Sequence, residues 1–105
     1  MAYVIVGRDA PDSAAPRQAH LAEHLEFVER SIDRILVAGP LRDPATGANV
    51  GSLYVLDVDT EADARRLLEA DPYHRAGVWA HVTVEPFMGA AGRWVGGLAW
   101  KKAAK

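Results

Sequence analysis

Two histidines follow an arginine in the stretch RQAHLAEHL, as Arg17, His20 and His24. An imidazole ordinarily titrates near ~6.5, so it can take and return a proton at working pH. The four-residue spacing of His20 and His24 would also suit two metal ligands on one helix face. The glutamate of an HExxH motif is missing and no third ligand is evident, so no metal is expected. The plain alternative is an edge histidine without chemistry. A carboxylate stands far along the chain, in LEADPYHRAGVW. Proline disfavours helical geometry in the residue before it, so a helix should end near Asp71. Asp followed by Pro is also a good cap for a short turn, PYHRA. A carboxylate fixed at such a junction can in addition orient an imidazole. Tyr73 offers a hydroxyl or a packed ring. His74 reads as a solvated turn residue, and His81 either lines a pocket or sits satisfied in the interior.

Other chemistries find no support. There is no glycine-rich phosphate loop, no dinucleotide fingerprint and no GxSxG. The absence of cysteine removes disulfides, thiolate nucleophiles and cysteine-ligated metals. A net charge of −2 gives no reason to expect nucleic acid or an anionic membrane as partner. No run approaches the ~20 apolar residues of a spanning helix, and the N-terminus lacks a basic leader. A soluble cytoplasmic protein is expected, and 105 residues make one domain.

The elements that must position these groups follow from periodicity. AYVIVGR is a strand. A helix is expected from Ala14 or Pro16 to Arg30, with Ser13 as its cap and Leu21, Leu25, Val28 and Ile32 as its apolar stripe. At ~100° per residue, Arg17 and His24 border that stripe, with His20 a little further round. RILVAGPL reads as a buried strand ended by Gly39-Pro40, and SLYVLDV as a third strand. DTEADARRLLEA is a second helix capped by Asp59 or Thr60, with Glu61 and Asp63 near its positive end. VWAHVTVEPF is a fourth strand, with Val78, Ala80, Val82 and Val84 on one face and Trp79, His81, Thr83, Glu85 and Phe87 on the other.

The order β-α-β-β-α-β is the ferredoxin-like α+β pattern, an antiparallel sheet with both helices on one face. The open face would carry Trp79, Phe87 and either Tyr3 or Tyr54. Large aromatics in a patch mark an interface, so a homodimer is expected, its two sheets pairing in a dimeric α/β barrel. The tail MGAAGRWVGGLAWKKAAK is glycine-rich and basic, yet holds Trp94 and Trp100. It is either a loose terminus or an arm that docks on the body or on a partner subunit.

RQAHL in the first helix, AGPL after the second strand, GSLYV opening the third and ADPYHRAGVWAHVTVEPF at the end occur in an order that resembles the YCII-related (YciI-like) family. The match makes residues 1–88 the domain and leaves 89–105 as a tail outside it. The resemblance implies a dimeric α/β barrel and a histidine–aspartate active site. His20 matches the histidine, Asp71 the aspartate and Arg17 the preceding arginine, while His24 lies outside the matched motif. It also implies cofactor-free lyase or isomerase reactions on small ring lactones, among them loss of hydrogen chloride from a chlorinated hydroxymuconolactone. The fold is shared with small monooxygenases and muconolactone isomerases, so fold alone does not choose.

The expected mechanism follows. His20 removes a proton beside a carbonyl or lactone. Asp71 accepts the other ring N–H, and Arg17 binds a carboxylate or developing enolate oxygen. Tyr54, Tyr73, Trp79 and His81 shape the pocket, and no cofactor is expected. The competing expectation is a non-catalytic dimer that binds a small molecule or assists a pathway enzyme.

Overall fold

Tyr3, Ile5 and Gly7 are buried while Val4 and Val6 between them are less so, which gives β1 (Ala2–Asp9) two unlike faces. The computed structural model describes residues 2–102; Met1 and residues 103–105 of the expected tail lie outside the described residues. After β1 come α1 (Ala14–Ala19), α2 (Leu21–Arg30), β2 (Ile35–Arg42), β3 (Asn49–Leu56), α3 (Glu61–Glu69), α4 (Pro72–Arg75) and β4 (Trp79–Phe87). The four strands form one antiparallel sheet in the order β2-β3-β1-β4, the ferredoxin-like arrangement. Tyr3 and Ile5 from β1 and Tyr54 and Leu56 from β3 meet Phe27, Ala64, Leu67 and Leu68 from the helices. Full burial of a side chain such as Ile5 or Leu56 stabilises by roughly 1.5–3 kcal/mol. Thr60 caps α3 as expected, its Oγ1 accepting from the Asp63 N–H at 3.1 Å.

Several expectations need correction. Tyr3 and Tyr54 face the helices, not the open side of the sheet. Trp79 does too, because β1 and β4 change register between Arg8–His81 and Asp9–Trp79. One extra residue, Ala80, turns Trp79 to the face of Val82 and Val84, an effect simple alternation cannot show. His81 and Phe87 remain on the open face, opposite Arg8 and Ala2. The strand β2 is a sheet edge, and it continues through Gly39 and Pro40, which pair with Leu53 and Ser52. Proline is tolerated there because an edge strand need not donate outward.

The first helix is not continuous. His20 ends α1 and starts α2 with φ −111° and ψ 11°, outside helical geometry. The break rotates α2, so Phe27 is its buried residue while Leu25 and Ile32 stand 52% and 58% exposed. Ser13 occupies the cap position of α1, but its Oγ lies 2.7 Å from the carbonyl oxygens of Ala10 and Val78 instead of bonding the helix end.

Beyond β4, a two-stranded ribbon of β5 (Ala91–Gly92) and β6 (Gly97–Leu98) leads to α5 (Ala99–Lys102). No helix among the described residues is long and apolar enough to cross a membrane.

Candidate active site

Asp71 is completely buried, a state a carboxylate tolerates only with full hydrogen bonding. Its position explains both the burial and the bonding. The helix α3 ends before Pro72, and Asp71 caps α4, its Oδ1 accepting from the Tyr73 N–H at 2.9 Å. The Tyr54 hydroxyl donates to Oδ2 from the floor of the sheet. His24 completes the set, with Nδ1 at 2.9 Å from Oδ1 and 3.0 Å from Oδ2. Three donors converge on one carboxylate, so Nδ1 carries the ring proton and Nε2 is left as the basic nitrogen. No bond from Nε2 to another described residue occurs, and His24 lines a cavity of about 320 Å³.

The rings hold this pair in place. Tyr73 stacks on His24 with centroids 4.0 Å apart and planes 5° from parallel. Trp79 stands edge-on to both Tyr54 and Tyr73 at 6.2 Å. Its Nε1–H donates to Ser52 Oγ at 3.2 Å. Gly7 permits this packing: a Cβ there would lie 2.9 Å from the indole. Burial, and then the charge of Asp71, raise the pKa of Tyr54 well above the ordinary phenol value, which keeps its hydroxyl a donor. Burial likewise raises that of Tyr73.

The site residues expected from the sequence divide clearly. Asp71, Tyr54 and Tyr73 come together. His20 does not join them, and the expected His20–Asp71 pair is replaced by His24–Asp71. His20 sits at the break between α1 and α2, where its Nδ1 lies 3.2 Å from Glu23 on the exposed surface. Trp79 packs behind the two tyrosines and is not a wall of the cavity. His81 is exposed on the opposite face of the sheet and contributes nothing to the pocket.

Arg17 borders the cavity but is heavily committed. Its Nε and Nη2 donate to Asp9 at 2.7 and 2.9 Å, and Nη2 also reaches the Gly51 carbonyl at 2.9 Å and Ser52 Oγ at 3.1 Å. The hydrogen bonds it donates to Asp9 raise the guanidinium's pKa against the opposing cost of burial. Its Cζ lies 5.3 Å from the centre of the Tyr73 ring, and the Tyr73 hydroxyl donates to its carbonyl at 3.2 Å. The guanidinium thus ties β1, β3 and α4 together.

Asp9 was missed, and His24 was named without a role. A period-two count along β1 places Asp9 on the buried side with Tyr3, Ile5 and Gly7. The helical wheel likewise set His24, not His20, closer to the core. Among the described residues no group of three or more His, Cys, Asp or Glu side chains gathers as metal ligands.

Comparison with known proteins adds to this geometry. The model of the YCII-related domain matches residues 1–88. Protein YciI of Escherichia coli O6:H1 is 35% identical over 94 residues, covering 83% of this chain and 96% of that one. An uncharacterized protein of Haemophilus influenzae is 32% identical over the same shares. Among solved structures, 5-chloro-2-hydroxyhydroquinone dehydrochlorinase (TftG) of Burkholderia phenoliruptrix AC1100, in complex with 2,5-dihydroxybenzoquinone, superposes with a TM-score of 0.79. It is 28% identical, over 89% of this chain and 97% of that one.

Proposed function

The chain belongs to the YCII-related family, and from that premise we propose that it is an acid–base lyase or isomerase for a small hydroxylated ring compound carrying a carbonyl or lactone. The observation that carries this reading is the clamped imidazole. Both oxygens of Asp71 hold Nδ1 of His24, so the ring has one tautomer and one orientation, and the residue whose Nε2 is left without a described partner lines the cavity. Nε2 takes a proton from a ring hydroxyl or from carbon next to the carbonyl, and Asp71 stabilises the imidazolium that forms. Return of that proton to another ring atom gives a tautomer. Where a neighbouring carbon carries chloride, electron flow from the enolate expels it, and the net change is loss of hydrogen chloride. Neither outcome needs an oxidant or a reductant. A base held in this way accounts for roughly 10²–10⁴ in rate.

The cavity suits such a substrate. Its volume of about 320 Å³ lies at the lower end of small-molecule sites. Leu21, Leu25, Val28 and Pro40 supply apolar walls, while Tyr54, Tyr73 and Asn49 supply polar edges. The dehydrochlorinase likeness supports a chlorinated hydroxyhydroquinone as the first compound to try. The uncovered sheet face supports the companion reading that the protein works as a homodimer.

The test is chloride release from 5-chloro-2-hydroxyhydroquinone under anaerobic conditions. We expect catalysed release, a loss of at least about a hundredfold in His24→Ala, and near-normal turnover in His20→Ala. Unchanged turnover in a folded His24→Ala protein would overturn the mechanism.

A further inference from the structure

The residues after Met88 lie outside the matched family domain, and they form a short ribbon and a helical turn of their own. The molecule measures 50 × 32 × 22 Å with a radius of gyration of 14.9 Å, against about 13 Å for a compact chain of this length. It exposes 6968 Å², where the scaling for a compact chain of 11.4 kDa gives about 5,800 Å². The excess of roughly 1,200 Å² compares with the ~800 Å² that each partner buries in a standard interface.

Large apolar side chains stand exposed on the arm and at its root. Met88 is 78% exposed, Trp94 84% and Trp100 58%. A groove of about 500 Å³ joins the arm to the open face of the sheet. Leu36, Leu53, Val55 and Phe87 line it from the body, and Trp94 and Val95 from the arm. The arm has a defined shape of its own. Gly92, Gly96 and Gly97 take positive φ values of 130°, 80° and 108°, which other residues rarely adopt, and the Ala99 N–H closes the ribbon on the Ala90 carbonyl at 2.9 Å.

We infer that the arm 89–102 clasps the partner copy of this chain across the groove, with Trp94 as its anchor. This rests on the homodimer reading for the sheet face and adds the arm to it. A two-fold contact uses the same patch on both copies, so each arm gains a partner when the two open faces meet. Tryptophan suits the anchor because it brings a large apolar area with few rotatable bonds. Trp94 contributes little to its own subunit's packing, so substituting it leaves the core intact.

Sedimentation equilibrium of the full chain, of Leu53→Lys and of Trp94→Glu tests this, with circular dichroism to verify folding. The wild type is expected at twice 11.4 kDa, Leu53→Lys as a monomer, and Trp94→Glu as a dimer weakened at least about tenfold. Tryptophan emission of the wild type should shift to the red as dilution separates the copies. A wild-type monomer at all concentrations overturns the sheet-face contact and the arm with it. A wild-type dimer whose dissociation constant Trp94→Glu leaves unchanged overturns the arm alone. Occupation of the groove by the chain's own tail would give a monomer with blue-shifted emission, and also overturns the inference.

Discussion

Asp71 and His24 lie 47 positions apart in the chain, yet both carboxylate oxygens come within 3.0 Å of Nδ1. Asp71 meets the imidazole as the cap of α4, so one bond network starts a helix and sets a tautomer. Asp71→Asn separates the two duties. An asparagine still caps, because its carbonyl accepts from the Tyr73 N–H. Its amide can also donate to Nδ1, which moves the ring proton to Nε2 and removes the base. Turnover should fall about 10²–10⁴-fold while the circular dichroism spectrum is kept. Near-normal turnover in the folded variant would show that the clamp has no catalytic role.

The order of elements was legible because helix and strand periods differ and the α3 and α4 caps use strong residue types. The pairing of imidazole and carboxylate was legible as a type of interaction, but the imidazole that makes it is His24 and not His20. His20 carries the motif, and the motif outweighed the wheel, which had placed His24 nearer the core. The break at His20 could not be read, since nothing in AHLAE marks a helix end as glycine or proline would. Trp79 was misplaced for a related reason. Its bulge depends on pairing with β1, and pairing is a tertiary fact that a single strand's pattern does not contain.

Arg17 was expected to bind substrate; at the cavity edge its Nε and Nη2 are held by Asp9, Gly51 and Ser52. Asp9 and Arg17 are 10% and 11% exposed as side chains, so removing the cation leaves a nearly buried carboxylate alone. Arg17→Ala should lower unfolding stability by about 3 kcal/mol. Arg17→Lys should recover only part of that, because a single ammonium cannot reproduce the bidentate fork. Urea denaturation of both variants measures this. A stable Arg17→Lys protein with only KM raised would return Arg17 to the role of anion binder.

Gly7→Ala should strain the site from behind. Its new Cβ would fall 2.9 Å from the Trp79 indole, and Trp79 stands against both tyrosines that fix Asp71 and His24. Overpacking of this kind costs roughly 1–3 kcal/mol. Thermal unfolding should report the loss, and near-ultraviolet circular dichroism should show displaced aromatic rings. A variant with wild-type Tm and spectrum would mean that the indole moves aside freely.

High pH should weaken the fold through Tyr54. Its pKa in the folded protein is raised, first by burial and then by the charge of Asp71. The unfolded chain loses the same proton near pH ~10. Above that pH the unfolded state binds fewer protons than the folded one, so stability is fully present below about pH 10 and falls as pH rises further. One such group contributes a slope of up to ~1.4 kcal/mol per pH unit. Tyr73 is raised as well and acts in the same direction. Tyr54→Phe should begin about 1–2 kcal/mol less stable near neutral pH, having lost a hydrogen bond to a buried charge, and should then fall less steeply in alkali. Urea midpoints for both proteins across the alkaline range test the difference. Parallel curves would mean that the Tyr54 proton is not held by the fold, and the donor role assigned to its hydroxyl would go with it.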